Sequence, residues 1–190
     1  MPEKIKSQLK GRLKAALYLH SLSTAEFAAK LARKHHLNEE QAYLAGLLHD
    51  NAKHLTLEQM QQCAMGTGFE FDAIELSTPA LLHAPLGAIL ASAEFGISTE
   101  SILQAIRNHT TGHPQMSHLD MVVFLADTLE PMREFSGIEK LRQMAYQDLE
   151  HCLLLVINHT LVFLTKRRKV VHPRTNALHQ TLISKQRKAI

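Results

Sequence analysis

The chain has no tryptophan, three tyrosines, two cysteines, eight glycines and six prolines in 190 residues. Each shortage excludes something. Cys63 and Cys152 are too few for a disulfide framework or for a four-thiolate structural zinc cage. So little glycine and proline leaves few turns for an all-β chain, and no stretch alternates with the two-residue period of a strand. A Walker A loop and a GxGxxG turn are both absent. The longest aliphatic runs, "CLLLVI" (152–157) and "MVVFLA" (121–126), fall short of the roughly 18 apolar residues that suggest a membrane span. The opening "MPEKIKSQLKGRLK" has no apolar signal core. A cytoplasmic setting without a membrane partner is therefore expected.

Charge is also modest. The formal net charge is +3 with histidine neutral, too small to argue for nucleic acid. The one basic cluster, "TKRRK" (165–169), closes a long helix, where cations complement the helix dipole. No aromatic residues interleave it as a stacking surface would require. No nucleic-acid partner is expected. The surplus lies in histidine, of which there are 13.

What is present is helical periodicity. A first helix is expected over residues 5–20, and a second after Thr24 as N-cap, with Phe27, Leu31 and Ala32 facing inward. Asn38 caps "NEEQAYLAGLLHDNAK", with Gln41 three residues on. Thr56 and Gln59 repeat the device for a helix to Met65, and residues 66–72 form a loop. A helix from "STPALLHAP" ends at Gly96, and another follows Ser98 or Thr99. Residues 110–117 form a loop, and Ser117 caps a helix that Pro131 stops. Two helices follow, and a last short one starts near Pro173. The expectation is one all-α domain spanning 1–190, a bundle of about eight to ten helices with its core at 10–182 and a frayed tail at 184–190. The long apolar helix at 149–164 is assigned to the core rather than to a dimer face, with a homodimer kept open.

The stretch "LAGLLHDNAKHL" (44–55) places His49, Asp50 and Lys53 directly after aliphatic residues. Nitrogen and carboxylate ligands together suit manganese, iron or zinc. His20, His83 and His109 stand on other segments, and Asp127 sits in "VVFLADTLEP", where a carboxylate is costly unless it is paired or bound to metal. Each also has a plain structural reading: helix-end histidines favouring the dipole, a polar residue at a helix entry, an aspartate paired with arginine. Spacing alone leaves both readings open.

The order His20…His49-Asp50…Asp127 resembles the H…HD…D signature of the HD-domain metal-dependent phosphohydrolases. The blocks "HDNAK", "LLHAPLGA", "AIRNHTTGH", "MSHLDMVVFLADTLEPMREF" and "HPRT" are similar to the branch of symmetrical bis(5'-nucleosyl)-tetraphosphatases, over residues 10 to 182. The resemblance implies that His20, His49, Asp50 and Asp127 hold one metal. It implies a second ion on His83 and His109, with Asp50 bridging the two. The two divalent ions would be iron, with manganese as the alternative. The same resemblance gives Asp50, Lys53 and His109 catalytic parts, and Lys53, Thr110, Thr111, Gly112 and Arg133 contacts with the nucleotide. The implied reaction cleaves diadenosine tetraphosphate to two ADP through a metal-bound, bridging hydroxide. Two alternatives stand beside it: a nucleotidase or phosphodiesterase acting on another nucleotide, and a non-catalytic nucleotide sensor. Two positions depart from the family pattern. Leu17 stands where an arginine is usual, leaving Arg12 as a substitute, and Asn51 stands where an aromatic is usual.

The chemistry explains why such residues are needed. A bound metal lowers the pKa of water from about 15.7 toward about 7, and two ions about 3.5–4 Å apart clamp both oxygens of a displacement. Cations such as Lys53 and Arg133 would stabilise charge spreading over the phosphoryl oxygens.

Overall fold

Side-chain caps open five helices, at Asn38, Thr56, Asp72, Ser117 and Asp148. In the computed structural model, which describes residues 2–188, eleven helices and no strands occur among the described residues. They are α1 (Pro2–Arg12), α2 (Ala15–Lys34), α3 (Glu39–Leu48), α4 (Leu57–Met65), α5 (Ala73–Ser77), α6 (Pro79–Phe95), α7 (Glu100–Asn108), α8 (His118–Leu129), α9 (Ile138–Ala145), α10 (Leu149–Lys166) and α11 (Pro173–Lys188). Asn38 accepts from the Gln41 amide, Thr56 and Ser117 each close a capping box, and Gly96 ends α6 in the left-handed region.

Four expectations change. Residues 5–20 are not one helix: α1 stops at Arg12, and α2 runs unbroken through Ser21 and Thr24. The Thr24 hydroxyl that reads as a cap makes no capping bond and is buried inside the helix without a partner. Ser21 Oγ donates to the Leu17 carbonyl at 3.0 Å, and Thr24 is fully buried. His20 therefore lies within a helix, not at its end. Secondly, α3 ends at Leu48, so "HDNAK" forms a run of turns. Thirdly, α11 is 16 residues long rather than short. Residues 184–188 of the expected frayed tail belong to it, and 189–190 lie outside the described residues. Fourthly, eleven helices replace the expected eight to ten because α1 separates from α2 and the five-residue α5 forms on its own Asp72 cap.

Packing brings the histidine-bearing ends together. Helix α2 lies on α3 and α8, while α7 lies on α3, α6 and α8. The closest approach is at Gly46, where a Cβ would meet the Ala25 Cα at 2.9 Å. Only glycine allows α3 to sit this near α2, and that brings His49 within reach of His20. Leu47 and Leu48 are fully buried beside it. Each such leucine contributes about 1.5–3 kcal/mol, which pins the end of α3 in the core. A smaller cluster of Ala52, Met60, Leu82 and Leu86 seats the following turns against α4 and α6.

Helix α10 is divided along its length. Cys152, Leu153, Val156 and Ile157 are buried in the core, whereas Val162 and Phe163 are exposed. By length and composition alone it is long and apolar enough to cross a membrane, but only a third of it is buried inside the protein.

Candidate metal centre

Local turn chemistry aims the histidines. His49 Nδ1 bonds the Gly46 carbonyl at 2.7 Å, and His109 Nδ1 bonds the Ile106 carbonyl at 2.7 Å. Each ring thus claims the carbonyl three residues back, and each helix stops one residue before its histidine. His83 Nδ1 faces the Pro79 carbonyl at 3.3 Å, and His20 Nδ1 faces Glu130 Oε1 at 3.0 Å. Carbonyl and carboxylate oxygens only accept, so all four Nδ1 atoms carry the proton. In the neutral rings every Nε2 is left as a lone pair. His54 makes the same bond to the Asn51 carbonyl at 2.8 Å, but it is exposed and joins nothing further.

The four Nε2 atoms converge in two pairs. His20 and His49 stand 3.2 Å apart, and His83 and His109 stand 3.0 Å apart. Two lone pairs this close repel unless something positive lies between them. Neighbouring ligands at about 2.1 Å from a shared ion stand about 3.0 Å apart at right angles, which matches both pairs. Asp50, fully buried, divides its carboxylate between them. Oδ2 is 3.2 Å from His49 and 3.8 Å from His20, while Oδ1 is 3.3 Å from His83 and 3.5 Å from His109. Asp127 Oδ1 lies 2.9 Å from His20 and 3.6 Å from His49. Asp50 Oδ1 is buried without a hydrogen-bond partner. An orphaned carboxylate oxygen beside two imidazole lone pairs fits a cation.

Without an ion, the centre balances its charge with a proton. Burial opposes charge on His49, but Asp50 and Asp127 outweigh it and hold its proton up to about 10. Burial pushes His109 down to about 4, aided by the charges of His49 and His83. Burial also works against the Asp50 and Asp127 carboxylates, yet the surrounding histidines keep both well below the usual carboxylate range. Protein groups alone must balance these carboxylates with a shared proton, and a divalent ion would displace it.

A cavity of about 230 Å³ opens on the centre, lined by Lys53, His83, His109, Thr110, Asp127, Thr128 and Thr160 among others. Lys53 Nζ donates to Asp50 Oδ2 at 2.8 Å, from the turns rather than from α3. Arg133 donates to Asp127 Oδ1 at 3.0 Å and is partly exposed. Thr110 Oγ1 reaches His109 Nε2 at 3.0 Å and His83 Nε2 at 3.3 Å.

Thr111 and Gly112 are not at this cavity. The Thr111 hydroxyl donates to the Gly112 carbonyl, and the Thr111 carbonyl accepts from Thr175 on α11 at 2.8 Å. Gly112 has φ +65°, and a Cβ there would meet a Leu178 methyl at 2.3 Å. Both residues dock the loop onto α11 and so hold Thr110 in place. Arg12 does not replace the missing arginine either: it pairs with Glu94, and Leu17 packs on the core. Asn51 ties the turns to α6 by donating to the Gly87 carbonyl at 2.9 Å. Glu130, buried behind His20, went unrecognised in the sequence. Its one signal is a charged residue between an apolar helix and Pro131.

The fold and site define an all-α protein with a buried His/Asp centre suited to divalent metal. Residues 17–132 match the HD domain family model, and the chain belongs to the HD-domain family, as one of its hydrolases. It is 37% identical over 170 residues to the symmetrical bis(5'-nucleosyl)-tetraphosphatase of Halalkalibacterium halodurans, covering 90% of each chain. To the enzyme of the same name from Bacillus subtilis it is 35% identical over 176 residues, covering 93% of this chain and 94% of that one. A solved structure from Clostridium acetobutylicum, described as a predicted HD superfamily hydrolase involved in NAD metabolism, superposes with a TM-score of 0.94 at 36% identity. The superposition covers 97% of this chain and 98% of that one.

Proposed function

We propose that the protein hydrolyses diadenosine tetraphosphate symmetrically to two ADP at a centre of two divalent ions, iron or manganese. In this reading His20, His49, Asp50 and Asp127 hold one ion, and Asp50, His83 and His109 hold the other. The observation that carries it is Asp50, whose two oxygens face two different histidine pairs. The names of the relatives above support the substrate. When bound, the ions would supply Lewis acidity and a water acidic enough to attack near neutral pH.

The chain's own groups do the rest. Glu130 and the Gly46, Pro79 and Ile106 carbonyls hold the Nδ1 protons, so no imidazole turns away from the centre. Lys53 places a cation beside Asp50 and Arg133 places one beside Asp127, where they would meet phosphoryl oxygens. Thr110 can donate a hydrogen bond to the same oxygens. Water adds to one inner phosphorus, the central P–O bond breaks, and the bridging oxygen leaves with the other ADP. We infer a cytoplasmic setting from the two free thiols, Cys63 and Cys152.

The test is metal analysis of anaerobically purified protein together with product identification. ADP as sole product, with iron or manganese bound, is expected. AMP with ATP would overturn the regiochemistry. Inert diadenosine tetraphosphate beside turnover of another nucleotide, NAD included, would overturn the substrate, and binding without any turnover would point to a sensor.

A further inference from the structure

The cavity over the centre, about 230 Å³, is smaller than the roughly 300–1,000 Å³ that sites for drug-sized ligands occupy. A dinucleoside tetraphosphate is larger than such ligands. If its phosphates lie at the centre, part of it must lie outside. We propose that Thr160, Phe163 and Arg167, on one face of α10, form the subsite for the outlying nucleoside. This rests on the substrate reading above.

Three observations carry it. First, Thr160 lines the cavity. Residues three and seven further on fall within about 60° of it around a helix. The buried Cys152 and Val156 lie on this same side, so the face that meets the core first becomes cavity wall and then continues into the open. Secondly, Phe163 is 44% exposed. Helical side chains lean toward the N-terminus, so its ring is directed back toward the turn that holds Thr160. Thirdly, the Arg167 guanidinium sits over that ring, 4.9 Å from its centroid. In sequence, "TKRRK" lacks an aromatic partner; in the fold Phe163 supplies one. A purine laid on Phe163 replaces a weak, exposed cation–π contact and leaves Arg167 free to meet a phosphate. The nearby Phe135 ring offers less, because His159 already stacks on it at 4.9 Å and 18°.

A second copy of the chain is the rival occupant of α10. The other exposed apolar residues, Leu155 and Val162, lie about 140° and 160° around the helix from Thr160 and about 80° and 100° from Phe163, so they centre on a different face. Phe163→Ala should raise KM for diadenosine tetraphosphate roughly tenfold with kcat within about twofold, as lost stacking predicts. Phe163→Trp should restore wild-type KM, and Val162→Ala should change neither constant. Sedimentation should be the same for all four proteins. An unchanged KM in Phe163→Ala, a Phe163→Trp enzyme as weak as Phe163→Ala, or an equal loss in Val162→Ala with altered association would each overturn the subsite. Wild-type protein inert toward diadenosine tetraphosphate would fail the substrate reading itself, and the subsite with it. Turnover with an unmoved KM would fail the subsite alone.

Discussion

Among the described residues, two clusters bring histidine and carboxylate atoms within 4.8 Å of one another: the Asp50 centre, and Asp72, Glu75 and His172 at the junction of α5 and α11. They differ in which nitrogen carries the proton. At the Asp50 centre every Nδ1 donates outward and every Nε2 lone pair points inward. At the junction, His172 Nδ1 accepts from the Arg174 amide at 3.1 Å, so Nε2 carries the proton and donates to Asp72 at 2.8 Å. The charge differs too. Arg174 reaches both Asp72 and Glu75, and no oxygen of either is left buried and unpartnered. The junction is a finished ion-pair network, whereas the centre has lone pairs facing one another and an orphaned Asp50 oxygen. Residue type alone does not separate them. Tautomer and charge balance do.

The sharpest way to break this comparison is substitution. Asp50→Ala should remove metal and turnover together, on the order of a thousandfold or more in kcat/KM. Asp72→Ala should leave both within a factor of about three. Elemental analysis and product assay decide it. If Asp50→Ala keeps its metal, the centre is elsewhere.

Metal addition is the next test. Manganese or iron at about a hundred times Kd should stabilise the stripped protein by about 2.7 kcal/mol, read as a rise in Tm. Asp50→Ala should show no such rise, and Asp72→Ala should show the full one.

Arg174→Ala strikes the junction alone. It strands Glu75, which is buried, and Arg174 is itself nearly a third exposed, so the cost should be about 1–3 kcal/mol after solvent screening. Metal content should not change. A fall in bound metal would show that the latch on α11 also holds the loop carrying Thr110.

The smallest effect concerns acid. Burial works against the Asp72 carboxylate, but the Glu75 amide, His172 and Arg174 outweigh it and hold it below the usual range. A depressed carboxylate contributes stability above its unfolded pKa and loses it as pH falls through the folded one. Asp72→Asn should therefore flatten the loss of Tm below about pH 4, with little change at neutral pH.

The starts of α3, α4 and α8 were legible because caps act locally. Asn38, Thr56 and Ser117 bond amides three residues on, and no distant residue is needed. The same rule misled at Thr24, where burial against α3 outweighed its capping preference and α2 ran on. The six centre residues were nameable through their resemblance to the HD-domain order, since type and spacing alone left a plain structural reading open. The contact of Thr111 and Gly112 with α11 was not legible, because it depends on a helix some sixty residues later packing over that loop.

The sequence by itself determined the helical class, the caps and the presence of four histidines and two aspartates in an HD-domain order. Only the tertiary structure decided that their lone pairs meet. That required Gly46 to let α3 close on α2, carbonyls at two helix ends to take the Nδ1 protons, and Asp50 to sit between two pairs that neighbouring helices deliver from opposite sides. A proton's place on an imidazole is set by what lies across from it, and that partner comes from the fold.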